Sequence, residues 1–321
     1  MRAGATGLSL LSVSLNVDVL TALEGGELAL ADLSQAVGHP PATTMRGYLK
    51  ALVDLGVVER HQAAGFPGPV AYSLSRPGAE LLIVAAGVQR WLDDAPNGSV
   101  PLGSPAAKSS IKALVEGWNS TIVRILATHP LTLTELARLI SSISYPTLER
   151  RVAAMRRVGL TQATRDNGGS RGTPYQASRW LRQAAAPLAA AVGWERRWAR
   201  EQTKAIGRLD IEAAFLLAAP LLDLPDDADG VCRLGVEMRS GSKLEYAGAM
   251  LKVARGRLLS CSAHMKGRPD AWATGTTAGW FGSASCPTGA ELEFGGDVLL
   301  ARHLAAAMRA ILIPAALAEV L

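Results

Sequence analysis

Residues 131–160 read LTLTELARLISSISYPTLERRVAAMRRVGL and decide the fold of the central part of the chain. Thr132 is followed three residues later by Glu135, a pairing typical of a helix start, because each side chain bonds a backbone N–H near the other. The polar turn SSIS ends this short helix. Pro146 then falls in the first turn of a longer helix, where the missing N–H of proline costs nothing. The stretch predicts a helix, a turn and a second helix.

The second helix of this pair carries an apolar stripe and is followed by a hairpin. Leu148, Val152 and Met155 recur on one helical face, and Gly159 is placed to end the helix. Two short strands are expected after it, around the polar turn DNGGSRG at 166–172. The order helix, helix, hairpin predicts a winged helix-turn-helix domain.

The first two thirds of the chain contain this pattern twice. An offset of 103 residues aligns Tyr72 with Tyr175 and Trp91 with Trp194 without a gap. The apolar positions of the first copy, such as Met45, keep the same register. Because the apolar positions and the aromatic residues of the two segments match in the same register, the alignment indicates a duplicated domain. We expect the two Trp residues to pack at an interface between domains or subunits.

The basic charge is concentrated in the middle third. The chain has 33 Lys and Arg against 28 Asp and Glu. Residues 101–204 hold 16 basic and 6 acidic residues, a net charge of +10, whereas residues 1–100 and 205–321 carry −3 and −2. This distribution indicates that a polyanionic partner binds the middle module.

Residues 118–165 resemble the winged-helix domain of HxlR-type and MarR-type bacterial transcriptional regulators, above all in the run ISYPTLERRVAAMRRVGL at 143–160. The resemblance implies that the long helix enters the major groove of DNA and that the hairpin touches the backbone. Helical geometry places Thr147, Arg150 and Arg157 away from the apolar stripe and Arg151 on its flank, and the hairpin contributes the remaining candidates. The predicted DNA-binding residues are Thr147, Arg150, Arg151, Arg157, Arg165, Asn167 and Arg171. The alternative is that these cations form only a solvated face.

The first copy lacks such a basic surface. Its helix places Thr43, Gly47 and Asp54 outward, and its hairpin turn at 62–70, QAAGFPGPV, contains no cation. Residues 30–60 are also similar to the winged-helix dimerisation domain of small-molecule O-methyltransferases. We expect this copy to be structural or dimerising, with weak DNA contact at most.

The last third changes to the alternating pattern of strands. Segments ARGRLLS, RPDAWATGT, AGWFG and FGGDVLLARHLAAAM follow one another in an order that resembles the sterol-carrier-protein-type fold. The resemblance implies an apolar tunnel for lipids or flat hydrophobic molecules, and aromatic side chains are candidates to line it. The candidate ligand-binding residues are Met250, Leu251, Trp272, Trp280, Phe281 and Phe294. The alternatives are that they are ordinary core, or that a ligand binds between the two copies.

The sequence lacks the motifs of several enzyme classes. It contains no GxGxxG after a strand, no Walker loop, no HExxH and no GxSxG, so we expect neither an enzyme nor a cofactor. The three Cys form no CxxC pair and the five His show no metal-ligand spacing. A cytoplasmic protein without a membrane segment is expected.

The sequence therefore predicts an α+β protein with two tandem winged helix-turn-helix domains and a sterol-carrier-protein-like α+β domain. The boundaries are 1–96, a linker at 97–110, 111–204 and 205–321. The predicted function is a ligand-responsive transcriptional repressor whose partners are double-stranded DNA and an apolar or aromatic effector such as a secondary metabolite. Homodimer and monomer both stay open, since two winged helices in one chain imitate a dimer. The alternative is a small-molecule sequestration protein that has lost DNA binding.

Overall fold

The computed structural model of the protein describes residues 4–62, 70–115, 119–164, 172–198, 207–240, 243–281 and 292–313. Within these ranges the fold is α+β, as predicted.

The first copy packs its helices beside a small three-stranded sheet of order β1-β3-β2. Leu33, Met45, Leu49 and Leu52 are fully buried and hold the helices together. Its elements are α1 Ala5–Leu11, α2 Ser14–Glu24, β1 Leu28–Ala29, α3 Leu30–Ala36, α4 Ala42–Asp54, β2 Val58–Gln62, β3 Val70–Leu74 and α5 Arg76–Asp93.

The second copy repeats this arrangement. Its elements are α6 Pro105–Val115, α7 Asn119–Leu126, α8 Leu133–Leu139, α9 Tyr145–Arg157, β4 Thr161–Ala163, β5 Tyr175–Ala177, α10 Arg179–Gln183 and α11 Ala185–Trp198. Helices α8 and α9 begin and end 103 residues after α3 and α4. The bridge between Leu131 and Tyr175 likewise repeats the pairing of Leu28 with Tyr72. The internal repeat of the sequence is therefore a repeat of structure.

Local signals in the second copy act as expected. Thr132 and Glu135 form a reciprocal capping box at the start of α8.

The segment 97–110 was predicted to be a linker, but helix α6 already begins at Pro105. The stretch before it is tied to α5, because the side-chain oxygen of Gln89 accepts from the backbone N–H of Leu102 over 2.7 Å. The copies are joined by a short packed loop.

The third part is a five-stranded sheet of order β10-β9-β6-β7-β8, in which β6 and β9 run parallel and the other pairs antiparallel. Alternating residues of the central strand, Cys232, Leu234 and Val236, are fully buried against the helices. The elements are α12 Arg208–Ala218, a 3-10 turn Ala219–Leu221, β6 Gly230–Ser240, β7 Lys243–Ala254, β8 Arg257–Ser262, β9 Ala271–Gly275, α13 Thr277–Phe281, β10 Leu292–Gly296 and α14 Val298–Leu312.

Helix α12 joins this sheet to the second copy. Every residue at 211–219 is buried, because α12 contacts β7 on one side and α7 on the other. Glu212, on α12, pairs with Arg124 of α7 and with Arg208 one turn earlier. A helix that is buried all round needs apolar neighbours on every side and a partner for its one buried carboxylate. The sheet and the second copy therefore share one core.

Candidate functional site

Helix α9 presents two opposite faces. Leu148, Val152 and Met155 are at most 1% exposed and anchor the helix on its own domain. Arg150 and Arg157 are exposed on the other side, and Arg156 is exposed beside them. Within the described part of the chain, none of these three guanidinium groups makes an ion pair. They are accessible to a polyanion.

The other predicted DNA-binding residues differ in placement. Thr147 is half-buried in the first turn of α9, where its hydroxyl accepts from the Ser144 hydroxyl over 2.9 Å. Arg151 is half-buried on the flank of the helix. The positions Arg165, Asn167 and Arg171 lie outside the described residues.

The equivalent face of the first copy has a different charge. At the offset of 103 residues, Gly47 and Asp54 stand where the second copy has Arg150 and Arg157. Lys50 on that face forms a 2.6 Å ion pair with Asp54. Helix α9 therefore carries four arginines, whereas α4 carries one, Arg46, and its Lys50 is neutralised by Asp54.

The two copies contact each other through α5, α10 and α11. The rings of Trp91 and Trp180 stack with centroids 4.5 Å apart and an interplanar angle of 8°. The indole N–H of Trp91 donates to the Trp180 carbonyl over 2.9 Å, and that of Trp194 donates to the Pro77 carbonyl over 2.8 Å. Trp194 and Trp180 follow Trp91 and Pro77 by 103 residues. The contacts are thus reciprocal, and both predicted Trp residues lie at this interface.

Polar side chains repeat the same reciprocity. Arg197 donates to the buried carboxylate of Glu80 over 2.7 Å. At the equivalent positions of the other copy, Gln183 donates to Asp94 over 3.3 Å. The two pairs occupy equivalent positions but differ in charge, and the charged pair is the shorter one.

The candidate ligand residues of the third part do not line one cavity. Trp280 is fully buried, donates to the Gly235 carbonyl over 2.9 Å and packs edge-on to Phe215 at 4.9 Å. Phe281 is 6.1 Å from the same Phe215 ring. Leu251 is fully buried. These three side chains belong to the core between the sheet and its helices.

Met250 and Trp272 lie on the opposite face of the sheet, since both are cross-strand partners of Arg233. Part of that face is covered, because Arg233 donates to the Gly267 carbonyl over 2.8 Å. Phe294 is half-buried beneath the Arg302 guanidinium, which lies 5.7 Å from its ring centroid. The sheet separates residues that the sequence had grouped.

A cavity that the sequence analysis missed lies in the first copy, between α2, β3 and α5. Its volume is about 710 Å³, within the range of small-molecule sites. Arg76 and Glu80 line it together with apolar side chains, and Arg76 also lies over the Trp198 ring at 5.6 Å. Its walls come from separate elements, so no local motif marks it. The apolar lining residues include Leu23, Leu74, Leu82, Ile83 and Ala86.

No protein-family model matches this sequence, and a search of curated proteins likewise gives no match. Among the described residues, no single helix is long and apolar enough to cross a membrane. Helices α1 and α2 reach that length and apolar composition only when taken together, and the chain bends by 85° between them.

Proposed function

We propose that the protein is a ligand-responsive transcriptional regulator, a repressor, that binds duplex DNA through α9. One observation carries the proposal: α9 exposes Arg150 and Arg157 opposite its buried stripe and Arg156 on its flank, and none of the three makes an ion pair in the described part of the chain. The two copies are interpreted as winged helices and the third part as a sterol-carrier-like effector domain.

The chemistry of this face suits nucleic acid. A helix in the major groove is fixed by Lys and Arg contacts to phosphates, and neutralising phosphates makes affinity depend steeply on salt. A guanidinium that reaches a guanine edge contributes about 1 to 3 kcal/mol of base discrimination. Thr147, at the N-terminal end of α9, stands where recognition helices commonly approach base edges.

Effector control would act through the shared core. Helix α12 lies between the sheet and α7 of the basic copy. An apolar or aromatic ligand that prefers one position of α12 would shift the orientation of α9. DNA affinity then changes by the ratio of the ligand's affinities for the two arrangements and by no more.

Fluorescence anisotropy tests the proposal with a labelled duplex from upstream of the protein's own gene. We expect wild type to bind at low salt, and the Arg150→Ala/Arg157→Ala variant to bind about tenfold more weakly or worse. Arg46→Ala, an exposed cation of α4, is the matched control and should bind like wild type. Equal affinities for all three proteins would exclude α9 as the DNA-binding surface.

A second candidate function is small-molecule sequestration without DNA binding. The cavity of about 710 Å³ in the first copy favours it. Quenching of tryptophan fluorescence by aromatic metabolites, measured with and without DNA, distinguishes the two functions. Tight quenching combined with no DNA affinity at low salt would favour sequestration.

A further inference from the structure

We propose that one chain, acting as a monomer, recognises an asymmetric DNA site through α9 alone. The inference rests on the proposed function, since it assumes that the protein binds DNA. It goes further by assigning the number of chains on the duplex and the symmetry of the sequence that they read.

The interface between the copies has the pattern of a two-fold dimer. In an isologous interface, residue i of one subunit contacts residue j of the other, and j contacts i. Here Trp91 bonds Trp180, and the residues 103 positions after Trp91 and before Trp180 bond each other, as Trp194 with Pro77. The chain therefore contains its own dimer interface.

One of the polar pairs at this interface opposes the pairing of first copies from two chains. If the first copies of two chains paired in the same way, Glu80 would face Asp94, because Asp94 is the equivalent of Arg197. Glu80 is only 8% exposed, and a buried carboxylate beside a second carboxylate is strongly unfavourable. A first copy therefore fits a second copy better than it fits another first copy, and such a difference in fit gives an interface specificity.

Other contacts close the interface further. Glu195 of α11 accepts backbone N–H bonds from Gly4, over 2.6 Å, and from Thr6 and Gly7 at the start of α1. Helix α14 of the sheet domain also packs on α11. A second chain would have to displace α1 and α14 to reach this helix.

The DNA site follows from this internal pairing. A symmetric helix-turn-helix dimer reads two inverted half-sites, about 10 to 10.5 base pairs apart. In this chain the second reading position is taken by α4, which has Gly47 and the Asp54–Lys50 ion pair where α9 has arginines, and whose Arg46 stands at the position of Glu149. Only one half-site is therefore read through bases.

The test combines a mass measurement with selection of DNA. Sedimentation equilibrium of the full chain should give the mass of one chain, 33.6 kDa, without DNA and one chain per duplex with it. Selection from a pool of random duplexes should enrich a motif without inverted symmetry. Arg150→Ala should weaken binding to the selected duplex, while Arg46→Ala leaves it unchanged.

The failures are distinguishable. Two chains per duplex, a free dimer, or an inverted repeat with halves about 10 to 10.5 base pairs apart would overturn the inference and leave the proposed function standing. If no duplex of the pool binds at low salt, the proposed function fails and the inference fails with it.

Discussion

Trp91 and Trp180 stack face to face, and each indole N–H donates to the backbone carbonyl of the other residue, over 2.9 and 2.6 Å. Both side chains are 4% exposed. The pair thus combines the burial of two large rings with two satisfied buried donors. It fixes the C-terminal end of α5 to the start of α10, and so fixes one copy on the other.

Removal of one of these rings should destabilise the whole protein. We expect Trp91→Ala to lower the free energy of unfolding by about 4 kcal/mol, because it leaves a large cavity and an unpaired carbonyl. Leu299→Ala, at a position 61% exposed, should change it by less than about 0.5 kcal/mol. Urea denaturation followed by circular dichroism measures both. Similar losses in the two variants would contradict the packing role.

Two equivalent glycines test the contact between the copies. Gly56 and Gly159 both have left-handed backbone, with φ of +69° and +87°. A Cβ at Gly56 would meet nothing, whereas one at Gly159 would run into the Pro96 ring of the first copy. Gly56→Ala should cost about 1 kcal/mol of unfolding free energy, and Gly159→Ala about 1 to 3 kcal/mol more. Equal costs in thermal unfolding would mean that Pro96 does not pack there.

The ion pair between α7 and α12 should matter more than an exposed one. Glu212→Gln leaves Arg124 without its buried partner and should cost about 3 kcal/mol of stability. The exposed pair of Lys50 and Asp54, 2.6 Å apart, is the control, because Asp54→Asn should cost less than about 0.5 kcal/mol. Chemical denaturation of both variants gives the comparison. A Glu212→Gln variant as stable as Asp54→Asn would refute the contribution of this ion pair to holding α12 on α7.

Stability should depend on pH through Glu195. Burial raises the pKa of this carboxyl above its ordinary value of 4.5, although backbone N–H bonds from Gly4, Gly7 and Thr6 act in the opposite direction. The folded state therefore keeps the proton to higher pH than the unfolded state. The free energy of unfolding attributable to this group falls as pH rises from the unfolded pKa through the folded one. Glu195→Gln should remove that component.

Glu135 provides a control of opposite sign. Hydrogen bonds from the backbone and side chain of Thr132 lower the pKa of its carboxyl. Its contribution to stability is present above the unfolded pKa and is lost as pH falls through the folded one. Urea unfolding from acid to neutral pH should show opposite changes of slope in Glu195→Gln and Glu135→Gln. The same change in both would contradict these assignments.

Local patterns predicted much of the fold. The capping box at Thr132 predicted the start of α8, and the stripe through Leu148 and Met155 predicted α9, because both signals act within a few residues. Alternation likewise predicted that the last third contains strands, and β6, β7 and β8 lie there. Because the two copies align at an offset of 103 residues, the same elements were predicted for the first copy.

Features that depend on distant packing were not predicted. The run at 211–219 is apolar except for Glu212, so it has no amphipathic periodicity that indicates α12 or its place between the sheet and α7. Trp180 aligns with Pro77, and its stacking on Trp91 exists only once the copies dock. Aromatic residue type likewise does not distinguish a pocket from a core, as the buried Trp280 illustrates.

The salt dependence of DNA binding tests the central claim most directly. The slope of log affinity against log salt concentration is roughly −0.9 for each phosphate neutralised on duplex DNA. If Arg150 and Arg157 contact phosphates, the wild-type slope should be steep and the double alanine variant should lose about 1 to 2 from its magnitude. The slope of Arg46→Ala should equal that of wild type. Identical slopes for wild type and the double variant would contradict the assignment of α9 as the DNA-binding helix.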